Sequence, residues 1–414
     1  MPNTSTVTTT TFASLGIAGP LLEALTAESY DEPTPIQARA IPTLLEGRDL
    51  LGIAQTGTGK TAAFALPVLQ RLSQMRAHPG AKGVRALILA PTRELVLQIA
   101  ERMRAYGGSL PLRQTVVLGG VGQGPQVKAL ARGVDVLVAT PGRLLDLVEQ
   151  RHVRLDGVSI LVLDEADRML DMGFVRDVRR IVAMLPKARQ SLLFSATMPD
   201  DVAKLAADML NAPVRVEAAR QATTAARVDQ RVHFVDAGGK RALLVSLLAD
   251  TAMSRVIVFT RTKHGANRLA EQLERAGIGA EAIHGNKSQG ARVRALDGFR
   301  SGRVRVLVAT DIAARGIDVT GISHVVNYDL PDVPEAYVHR IGRTARAGAA
   351  GIALTLCAPE ERGLLRDIER LTRQPLTVIG QRPAESEGRA AAPRGHQSRS
   401  HRGGGRHASR SRAA

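Results

Sequence analysis

The 414-residue chain is longer than one ordinary hydrophobic core requires, and with 44% apolar residues it is expected to form two domains. It has no apolar run near the roughly 20 residues of a membrane helix, no signal-peptide pattern and one cysteine, so we expect a cytoplasmic protein without an internal disulfide or a membrane partner. A net charge of +17, with 48 Arg among 56 basic residues, favours a polyanionic partner, while 3% aromatic residues and no Trp argue against ring stacking as the main mode of contact.

Short runs of Val, Ile and Leu alternate with amphipathic segments over the first half of the chain. One such segment, "RELVLQIAERMRAY" (93–106), predicts a helix. Continuous apolar runs of this length are typical of parallel strands covered on both faces, so the sequence predicts an α/β domain over residues 1–212. The runs lie at 49–54, 85–90, 134–140, 159–164 and 191–196.

A second series of apolar runs begins near residue 230. Within it "VRVLVAT" (304–310) shares six of seven letters with "VDVLVAT" (134–140) of the first series. Chance would explain the shared apolar letters but not the shared "AT" endings. We therefore predict a similar second domain over 230–379, preceded by a linker over 213–229. The runs lie at 230–236, 254–260, 279–285, 304–310, 324–329 and 351–357.

The last segment, 380–414, contains eight Arg and two Glu and has no apolar periodicity. Such a composition cannot form a core by itself, so we predict a disordered basic tail. The tail is expected to add sequence-independent affinity for a polyanion through counterion release. A tail that only improves solubility is the alternative.

The strongest local signal is "AQTGTGKT", which follows a predicted strand and precedes a predicted helix. Glycines in such a loop let backbone N–H groups approach phosphate oxygens, Lys60 offsets the phosphate charge, and the Thr61 hydroxyl can hold Mg²⁺. Ala54 stands where the usual pattern has Gly. The predicted nucleotide-binding residues are Ala54, Gln55, Thr56, Gly57, Thr58, Gly59, Lys60 and Thr61.

Two acidic residues directly follow the apolar run in "LVLDEAD" (161–167). The carboxyl end of a parallel strand is where the second part of a nucleotide and metal site is expected. Asp164 is predicted to hold Mg²⁺, and Glu165 to act as the base that polarises the attacking water. An acidic first turn of a helix, favoured by the helix dipole, is the alternative for this pair.

The letters "DEAD" stand at 164–167, and further motifs follow in order over about residues 12–348. On these motifs the chain resembles the DEAD-box RNA helicases, a family of two-domain superfamily 2 ATPases. "SATMP" (195–199) and the Arg-rich tail resemble the bacterial RhlE-like branch. The resemblance implies two tandem RecA-like domains, each a mostly parallel sheet flanked by helices, with ATP and Mg²⁺ as cofactors and RNA as partner.

By this resemblance "PTPIQ" (33–37) is the element that reads adenine, with Gln37 bonded to the base edge and Phe12 stacked on the ring. A Pro-rich turn is the alternative reading of that segment. Asp318 would contact the sugar of the nucleotide. The residues that would couple the ATP state to domain closure are Asp167, Ser195, Ala196, Thr197 and His339.

The segments that would face RNA carry Gly, Thr and Arg at the ends of predicted strands. These residues can present N–H groups, hydroxyls and guanidinium groups to phosphate oxygens. Ordinary turn chemistry is the alternative, above all for Gly119 and Gly120. The residues implied in the first domain are Pro91, Thr92, Arg93, Gly119, Gly120, Thr140, Pro141, Gly142 and Arg143, and those in the second are Arg261, Gly285, Gln289, Arg292, Thr310, Asp311 and Arg315.

The segment "HRIGRTARAG" (339–348) resembles the arginine-finger element of the family. Arg343 and Arg346 would reach the γ-phosphate across the cleft, a contribution worth roughly 10³ to 10⁵ in rate. Ala345 stands where the family usually has Gly. If that position needs a positive φ, Ala costs on the order of 1 kcal/mol there, which would affect Arg346 rather than Arg343.

The resemblance implies an ATP-dependent RNA helicase that unwinds short duplexes locally and remodels RNA–protein complexes. ATP, Mg²⁺ and RNA would close the two domains, because Lys60 and Arg343 lie on different halves of the chain. We expect a monomer that acts on ribosomal precursors or in RNA-degradation complexes. Two alternatives remain, a DNA-stimulated translocase of the same superfamily and an ATP-switched RNA clamp or annealing protein.

Overall fold

The apolar runs of the sequence form the central strands of two β-sheets in the computed structural model, which describes residues 10–55, 57–75, 78–217, 228–314, 319, 321–345 and 351–380. Each sheet has seven strands, and every strand pairing among the described residues is parallel. The predicted α/β class, with two mostly parallel sheets flanked by helices, is confirmed. The tail from residue 381 onward lies outside the described residues.

The first domain opens with two helices and then alternates strands with helices. Its strands are β1 (Leu50–Ile53), β2 (Val84–Leu89), β3 (Gln114–Val117), β4 (Val134–Ala139), β5 (Ile160–Leu163), β6 (Gln190–Ser195) and β7 (Val214–Glu217). Its helices are α1 (Pro20–Ala27), α2 (Pro35–Leu45), α3 (Lys60–Gln74), α4 (Arg93–Gly107), α5 (Gly124–Leu130), α6 (Pro141–Glu149), α7 (Ala166–Asp171), α8 (Val175–Ala183) and α9 (Asp200–Met209).

The second domain repeats this alternation. Its strands are β8 (Val228–Phe234), β9 (Val256–Phe259), β10 (Ala280–Ile283), β11 (Val306–Ala309), β12 (His324–Asn327), β13 (Gly351–Cys357) and β14 (Thr377–Ile379). Its helices, within the described residues, are α10 (Lys240–Leu248), α11 (Lys263–Arg275), α12 (Gln289–Arg300), α13 (Asp311–Ala314), α14 (Pro334–Ile341) and α15 (Arg362–Thr372), with a 3₁₀ turn at Pro359–Glu361.

Both sheets have the same strand order. The first runs β3-β4-β2-β5-β6-β1-β7 and the second β10-β11-β9-β12-β13-β8-β14, so each strand of one domain has a counterpart seven strands later. The repeated phrases of the sequence fall on β4 and β11, which hold the same position in their sheets. The two domains are therefore structural repeats, as the shared letters predicted.

The repeated phrases differ at one position, which is Asp135 in the first domain and Arg305 in the second. Both side chains form hydrogen bonds to neighbouring segments of the chain. Asp135 accepts hydrogen bonds from Arg85 Nη1 and from the Arg113 backbone N–H, each at 2.8 Å. Arg305 donates from Nε to the Met253 carbonyl at 2.8 Å. Each side chain thus fastens connecting segments to the amino end of its strand, with opposite charge.

The predicted linker, 213–229, is too long at both ends. Residues 214–217 form β7, which pairs with β1 at the edge of the first sheet, and β8 of the second sheet begins at Val228. Strand β7 was missed because its burial alternates, as an edge strand requires, and so it lacks a continuous apolar run. Residues 218–227 lie outside the described part of the chain.

Apolar layers cover both faces of each sheet. In the first domain one layer contains Phe64 and Phe194 and the other contains Leu137 and Val178. Cys357 lies in a layer of the second domain, and burial raises the pKa of its thiol to about 11, which fits a core residue and not a nucleophile. The helices described by the structure include none with the length and apolar character needed to cross a bilayer.

Replacing Asp135 by Ala should destabilise the first domain by about 3 kcal/mol or more, because the Arg85 guanidinium would be left buried without its carboxylate. The Arg85 and Asp135 side chains are 7% and 3% exposed. Asp156→Ala is the matched control, since its pair with Arg154 is 62% to 65% exposed and should contribute little to stability. Urea unfolding followed by circular dichroism measures both, and equal losses would contradict the assignment.

Candidate nucleotide cleft and nucleic-acid groove

The shared strand order sorts the candidate motifs into two groups. The loops that carry "TGTGKT", "DEAD" and "SAT" leave the carboxyl ends of β1, β5 and β6, which lie in one half of the first sheet. The loops that carry "PTREL", "GG" and "TPGR" leave β2, β3 and β4 in the other half. Ligands of such sheets bind at the carboxyl ends of the strands, so the two halves define two neighbouring sites.

The predicted phosphate loop is held in shape by hydrogen bonds from its own side chains to its backbone. Gly57 and Gly59 have φ values of +86° and +91°, which favour glycine. Lys60 opens α3, is buried, and donates from Nζ to the Ala54 carbonyl at 2.7 Å. Thr58 donates from its hydroxyl to the Gln55 carbonyl at 2.8 Å. The loop therefore directs its cation and the start of a helix toward one point, as a phosphate site requires.

The "PTPIQ" segment holds this loop from outside. Gln37 is fully buried and donates from Nε2 to the Gly59 carbonyl at 3.1 Å, while its Oε1 accepts from the Thr34 backbone N–H at 2.8 Å. Thr34 donates from its hydroxyl to the Thr58 carbonyl at 2.8 Å. A Cβ at Gly59 would stand 2.4 Å from Gln37 Nε2, so the close approach needs glycine. Contact of Gln37 with a base edge stays a prediction; the second N–H and the second Oε1 lone pair of the amide would make it.

The structure corrects the predicted stacking role of Phe12. Phe12 is 4% exposed and packs in the core, where its ring meets Tyr30 edge-on at 6.5 Å between centroids. A ring enclosed in this way has no free face for a base. Tyr30 is half-buried and its hydroxyl pairs with that of Tyr106 at 3.1 Å. Sequence reasoning missed Tyr30, although an aromatic residue seven positions before Gln37 was a visible signal.

The acidic residues after β5 are buried beside the phosphate loop. Burial raises the pKa of Asp164 to about 6, although the nearby Lys60 charge lowers it. Asp164 Oδ1 accepts the Glu165 backbone N–H at 2.9 Å. The Lys60 charge does not fully offset the cost of burying this carboxylate, and a bound Mg²⁺ would supply further positive charge. Mg²⁺ needs few protein ligands, because water and phosphate supply the rest.

Glu165 has left-handed backbone torsions, with φ at +54°, directly before α7. Its Oε2 is bound by Arg168 Nη1 at 2.9 Å, and both side chains are buried. The two predicted acids thus have different partners, a cation of the phosphate loop for Asp164 and a cation of its own helix for Glu165.

The last acid of "DEAD" joins β5 to the loop after β6. Asp167 Oδ2 accepts the backbone N–H groups of Ala196 and Thr197 at 3.2 and 3.0 Å and the Thr197 hydroxyl at 2.9 Å. Ser195 accepts the Asp167 N–H at 3.3 Å and donates to the Thr197 carbonyl at 2.7 Å. The predicted coupling residues of the first domain therefore form one rigid cluster.

The second domain faces this cluster across a cleft of about 780 Å³. His339 and Arg343 lie on its far wall, opposite Gln55, Asp167 and Thr197. Arg343 is buried and donates from Nε to the His339 carbonyl at 3.2 Å, one turn back along α14. The structure thus brings Arg343 to the same cleft as Gln55, the one described residue of the predicted nucleotide-binding loop that lines it.

Ala345 has φ at +54°, so this position has the positive φ that the sequence analysis considered. Its methyl group packs against the apolar layer that contains Tyr337 and Ile341. A Cβ at Gly351 would stand 2.4 Å from Thr344 Oγ1, so the start of β13 presses on the same turn. The turn after Arg343 is therefore strained and closely packed.

A second cavity, of about 340 Å³, joins both domains on the other half of the sheets. We call it the groove. It contains most of the first-domain residues implied in RNA contact and two from the second domain. The predicted residues that line it are Pro91, Thr92, Arg93, Gly119, Thr140, Gly142, Arg143, Gly285 and Arg292.

The position of the Arg93 side chain explains why glycine stands at residue 120. A Cβ at Gly120 would stand 1.8 Å from Arg93 Nη1, and Gly120 has φ at +74°. The guanidinium lies over this backbone in the space that a side chain would fill. Glycine is therefore required for the position of Arg93 in the groove, whatever contacts the glycines themselves make.

Glu94 binds the two domains together beside the groove. Its Oε1 accepts from Gln289 Nε2 at 3.1 Å and its Oε2 pairs with Arg292 Nη2 at 2.8 Å. These contacts join α4 of the first domain to α12 of the second, and we call them the interdomain clamp. Gln289, implied in RNA contact, is buried and does not line the groove, so the structure places it in the clamp.

Other implied RNA residues also lie away from the groove. Asp311 is held by two bonds from Arg340, at 2.6 and 2.8 Å, and lines the nucleotide cleft. Arg261 pairs with Glu361 at 3.2 Å and with Asp332 at 3.5 Å. Arg261 is absent from the described groove wall, and its predicted contact with RNA stays a prediction. Pro141 and Thr310 are also absent from the described groove wall.

Three described residues of the groove wall were not found from the sequence, Glu94 and two apolar residues. Met172 and Phe174 follow α7 and line the groove beside the basic residues. Their position after the "DEAD" helix gave no signal, because one apolar residue in a loop is ordinarily a packing residue. Thr56, Arg315, Asp318 and Arg346, which were also predicted as site residues, lie outside the described residues.

Known families match both halves of the chain. The family model described as DEAD/DEAH box helicase matches residues 34–205, and the helicase conserved C-terminal domain matches residues 239–348. The DEAD-box ATP-dependent RNA helicase CshA of Geobacillus kaustophilus is 43% identical over 365 residues, which cover 88% of this chain and 77% of that protein. CshA of Bacillus subtilis is 41% identical over 366 residues, 88% of this chain and 73% of that protein.

Solved structures share the whole architecture. S. cerevisiae Dbp5 bound to RNA and ADP BeF3 is 33% identical, has a TM-score of 0.79, and is matched over 89% of this chain and 95% of that one. Mss116 bound to ssRNA and UDP-BeF is 27% identical, with a TM-score of 0.80 over 91% of this chain and 81% of that one. Both similar proteins thus hold a nucleic acid and a nucleotide analogue at the same time.

Gly120→Ala should lower the affinity for single-stranded RNA about tenfold or more, because the added methyl would displace the Arg93 guanidinium and a charged hydrogen bond would be lost. Fluorescence anisotropy with a labelled oligonucleotide measures the affinity. Gly122→Ala is the matched control, since nothing lies within 4 Å of its added Cβ. Equal affinities for the two variants would show that Arg93 does not bind RNA from this position.

Proposed function

The chain belongs to the DEAD-box family of ATP-dependent RNA helicases, and we propose that it hydrolyses ATP when RNA holds its two domains together, and so separates short RNA duplexes locally. One observation carries the proposal. Arg168, the ionic partner of Glu165, and Arg343 of the second domain line the same interdomain space, while the groove on the other half of the sheets also needs both domains. A ligand in either site therefore favours the closed arrangement.

In the nucleotide cleft the phosphate loop would bind the triphosphate. Lys60 would exchange its bond to the Ala54 carbonyl for phosphate oxygens, which offset its charge better than a neutral carbonyl does. Thr61 and Asp164 would hold Mg²⁺, with Asp164 acting through water. When bound, the ion neutralises charge on the phosphate oxygens. Tyr30, rather than Phe12, is the aromatic residue available to the base.

Glu165 would act as the base that orients and deprotonates the attacking water. Its buried carboxylate lies one residue from Asp164 and is paired with Arg168, which lines the cleft between the domains. Arg343 would donate to the γ-phosphate from the opposite wall as negative charge shifts during transfer. Because these groups lie on different domains, each domain alone is incomplete, and turnover follows closure.

The groove would bind one RNA strand by its backbone. Arg93, Arg143 and Arg292 supply guanidinium donors, and the loop glycines leave backbone N–H groups accessible to phosphate oxygens. Binding of this kind reads no sequence, and a groove of limited length grips a few nucleotides, which favours local strand separation over movement along the strand. Remodelling of RNA–protein complexes follows from the same grip.

The remaining proposals concern the setting. We propose a cytoplasmic monomer that acts on ribosomal precursors or in RNA-degradation complexes, with domains over residues 1–217 and 228–379 and a basic tail beyond. The described residues include no cluster of three or more His, Cys, Asp or Glu that could hold a metal by itself, which is consistent with a metal that arrives with ATP. Membership of the RhlE-like branch stays a prediction.

The decisive measurement compares ATP hydrolysis with no polymer, with single-stranded RNA and with DNA. RNA should stimulate turnover and DNA should not. Glu165→Gln should keep ATP and RNA binding but reduce turnover about 100-fold or more, because the general base is lost while shape is kept. Stimulation by DNA alone would select a translocase, and tight ATP-dependent RNA binding without separation of a short duplex would select a clamp.

Glu94→Gln should reduce the closed population with RNA and a non-hydrolysable ATP analogue about tenfold or more, because the buried Arg292 loses its charge partner across the domains. Fluorescence transfer between dyes on the two domains measures closure. Glu101→Gln, on the exposed face of the same helix, is the control. A closed population equal to that of the control would show that the interdomain clamp does not stabilise closure.

A further inference from the structure

Arg168, the residue directly after the "DEAD" letters, is the buried ionic partner of Glu165. Its Nη1 lies 2.9 Å from Glu165 Oε2, and the two side chains are 5% and 6% exposed. The pair spans one turn of α7, from its first flanking residue into the helix. Neither the sequence motifs nor the comparisons assign Arg168 a role.

The second domain forms the other side of the space around Arg168. A small cavity there is lined by Arg168 together with His339, Arg340 and Arg343. The acid of the second domain on this wall, Asp311, is already bound by Arg340 through two hydrogen bonds. Arg168 is therefore directed to Glu165 within its own domain, and closure of the second domain encloses the pair.

Stability alone does not account for a pair buried in this way. Removing two charges from water is costly, and their attraction offsets this only in good geometry, so apolar residues would serve the fold as well. Glu165 also has a left-handed backbone, which is unfavourable for a residue with a Cβ. Both features make sense if the direction of one carboxylate matters.

The pair fixes a side chain that would otherwise rotate about three bonds. Arg168 occupies Oε2, so the other carboxylate oxygen of Glu165 is the one that would accept from the attacking water. A base held in one orientation loses little freedom when the reaction begins. Arg168 itself would not touch the reacting atoms, since its bond is to Glu165.

We propose that Arg168 is a positioning residue for ATP hydrolysis, which orients the Glu165 carboxylate toward the attacking water in the closed cleft. The proposal rests on the proposed role of Glu165 as the base. It distinguishes Arg168 from Lys60 and Arg343, which would contact phosphate, and predicts that Arg168 affects turnover rather than nucleotide affinity.

Arg168→Met tests this role. The RNA-stimulated kcat should fall roughly 10- to 100-fold, the range found when a supporting partner of an active group is removed, while the Kd for a fluorescent ATP analogue should change less than about twofold. Arg168→Lys should recover part of the rate, because Lys keeps the charge but lacks the planar guanidinium. Arg180→Met is the matched control, since it removes an exposed Arg–Glu pair of the same domain and should leave kcat unchanged.

A double-mutant cycle with Glu165→Asp separates positioning from general damage. The carboxylate of that variant is one methylene shorter and cannot reach Arg168 in the same geometry, so Arg168→Met should have little further effect in that background. RNA binding with a non-hydrolysable ATP analogue verifies that each variant is folded. The proposal would be overturned if Arg168→Met left kcat unchanged, or if it weakened binding of the ATP analogue while kcat was retained. It would also be overturned if Arg168→Met lowered kcat equally in the wild-type and Glu165→Asp backgrounds. If Glu165→Gln itself retained hydrolysis, the proposed base would fail first, which is a different result.

Discussion

The chemistry of this protein depends on one constraint, that neither domain holds a complete site. Parallel strands in the same order present their carboxyl ends at one edge, and the two edges meet across the nucleotide cleft and the groove. The phosphate loop and the acids come from one edge and Arg343 from the other. Under the proposed function closure would control hydrolysis, because groups that lie on separate domains react only when the domains meet.

Buried charges at this meeting surface are paired one by one. Glu94 pairs with Arg292 between the domains, Glu165 with Arg168 within the first, and Asp311 with Arg340 within the second. The first two pairs are shielded from water, so their attraction is stronger than at the surface, while in the third Arg340 is buried and Asp311 is 30% exposed. Of the three pairs, only Glu94 with Arg292 joins the two domains.

Close backbone approach sets the remaining geometry. Gly59 makes room for the Gln37 amide and Gly120 for the Arg93 guanidinium. Ala345 departs from this pattern, because it holds a positive φ with a side chain present and packs that side chain on the core. The turn after Arg343 is thus stiffer than a glycine would make it, and Gly351 approaches it too closely for a side chain at that position.

The sequence by itself determined the two α/β repeats, the buried strands and the phosphate loop, because continuous apolar runs and glycine spacing are local signals. It missed the edge strands β3, β7 and β14, whose half-exposed faces lack such runs. Only the tertiary structure decided which side chains meet. Phe12 is buried in the core, and Phe174 lines the groove. Gln289 donates a hydrogen bond to Glu94, and Asp311 accepts one from Arg340. These outcomes depend on contacts between residues far apart in the chain, which no local pattern records.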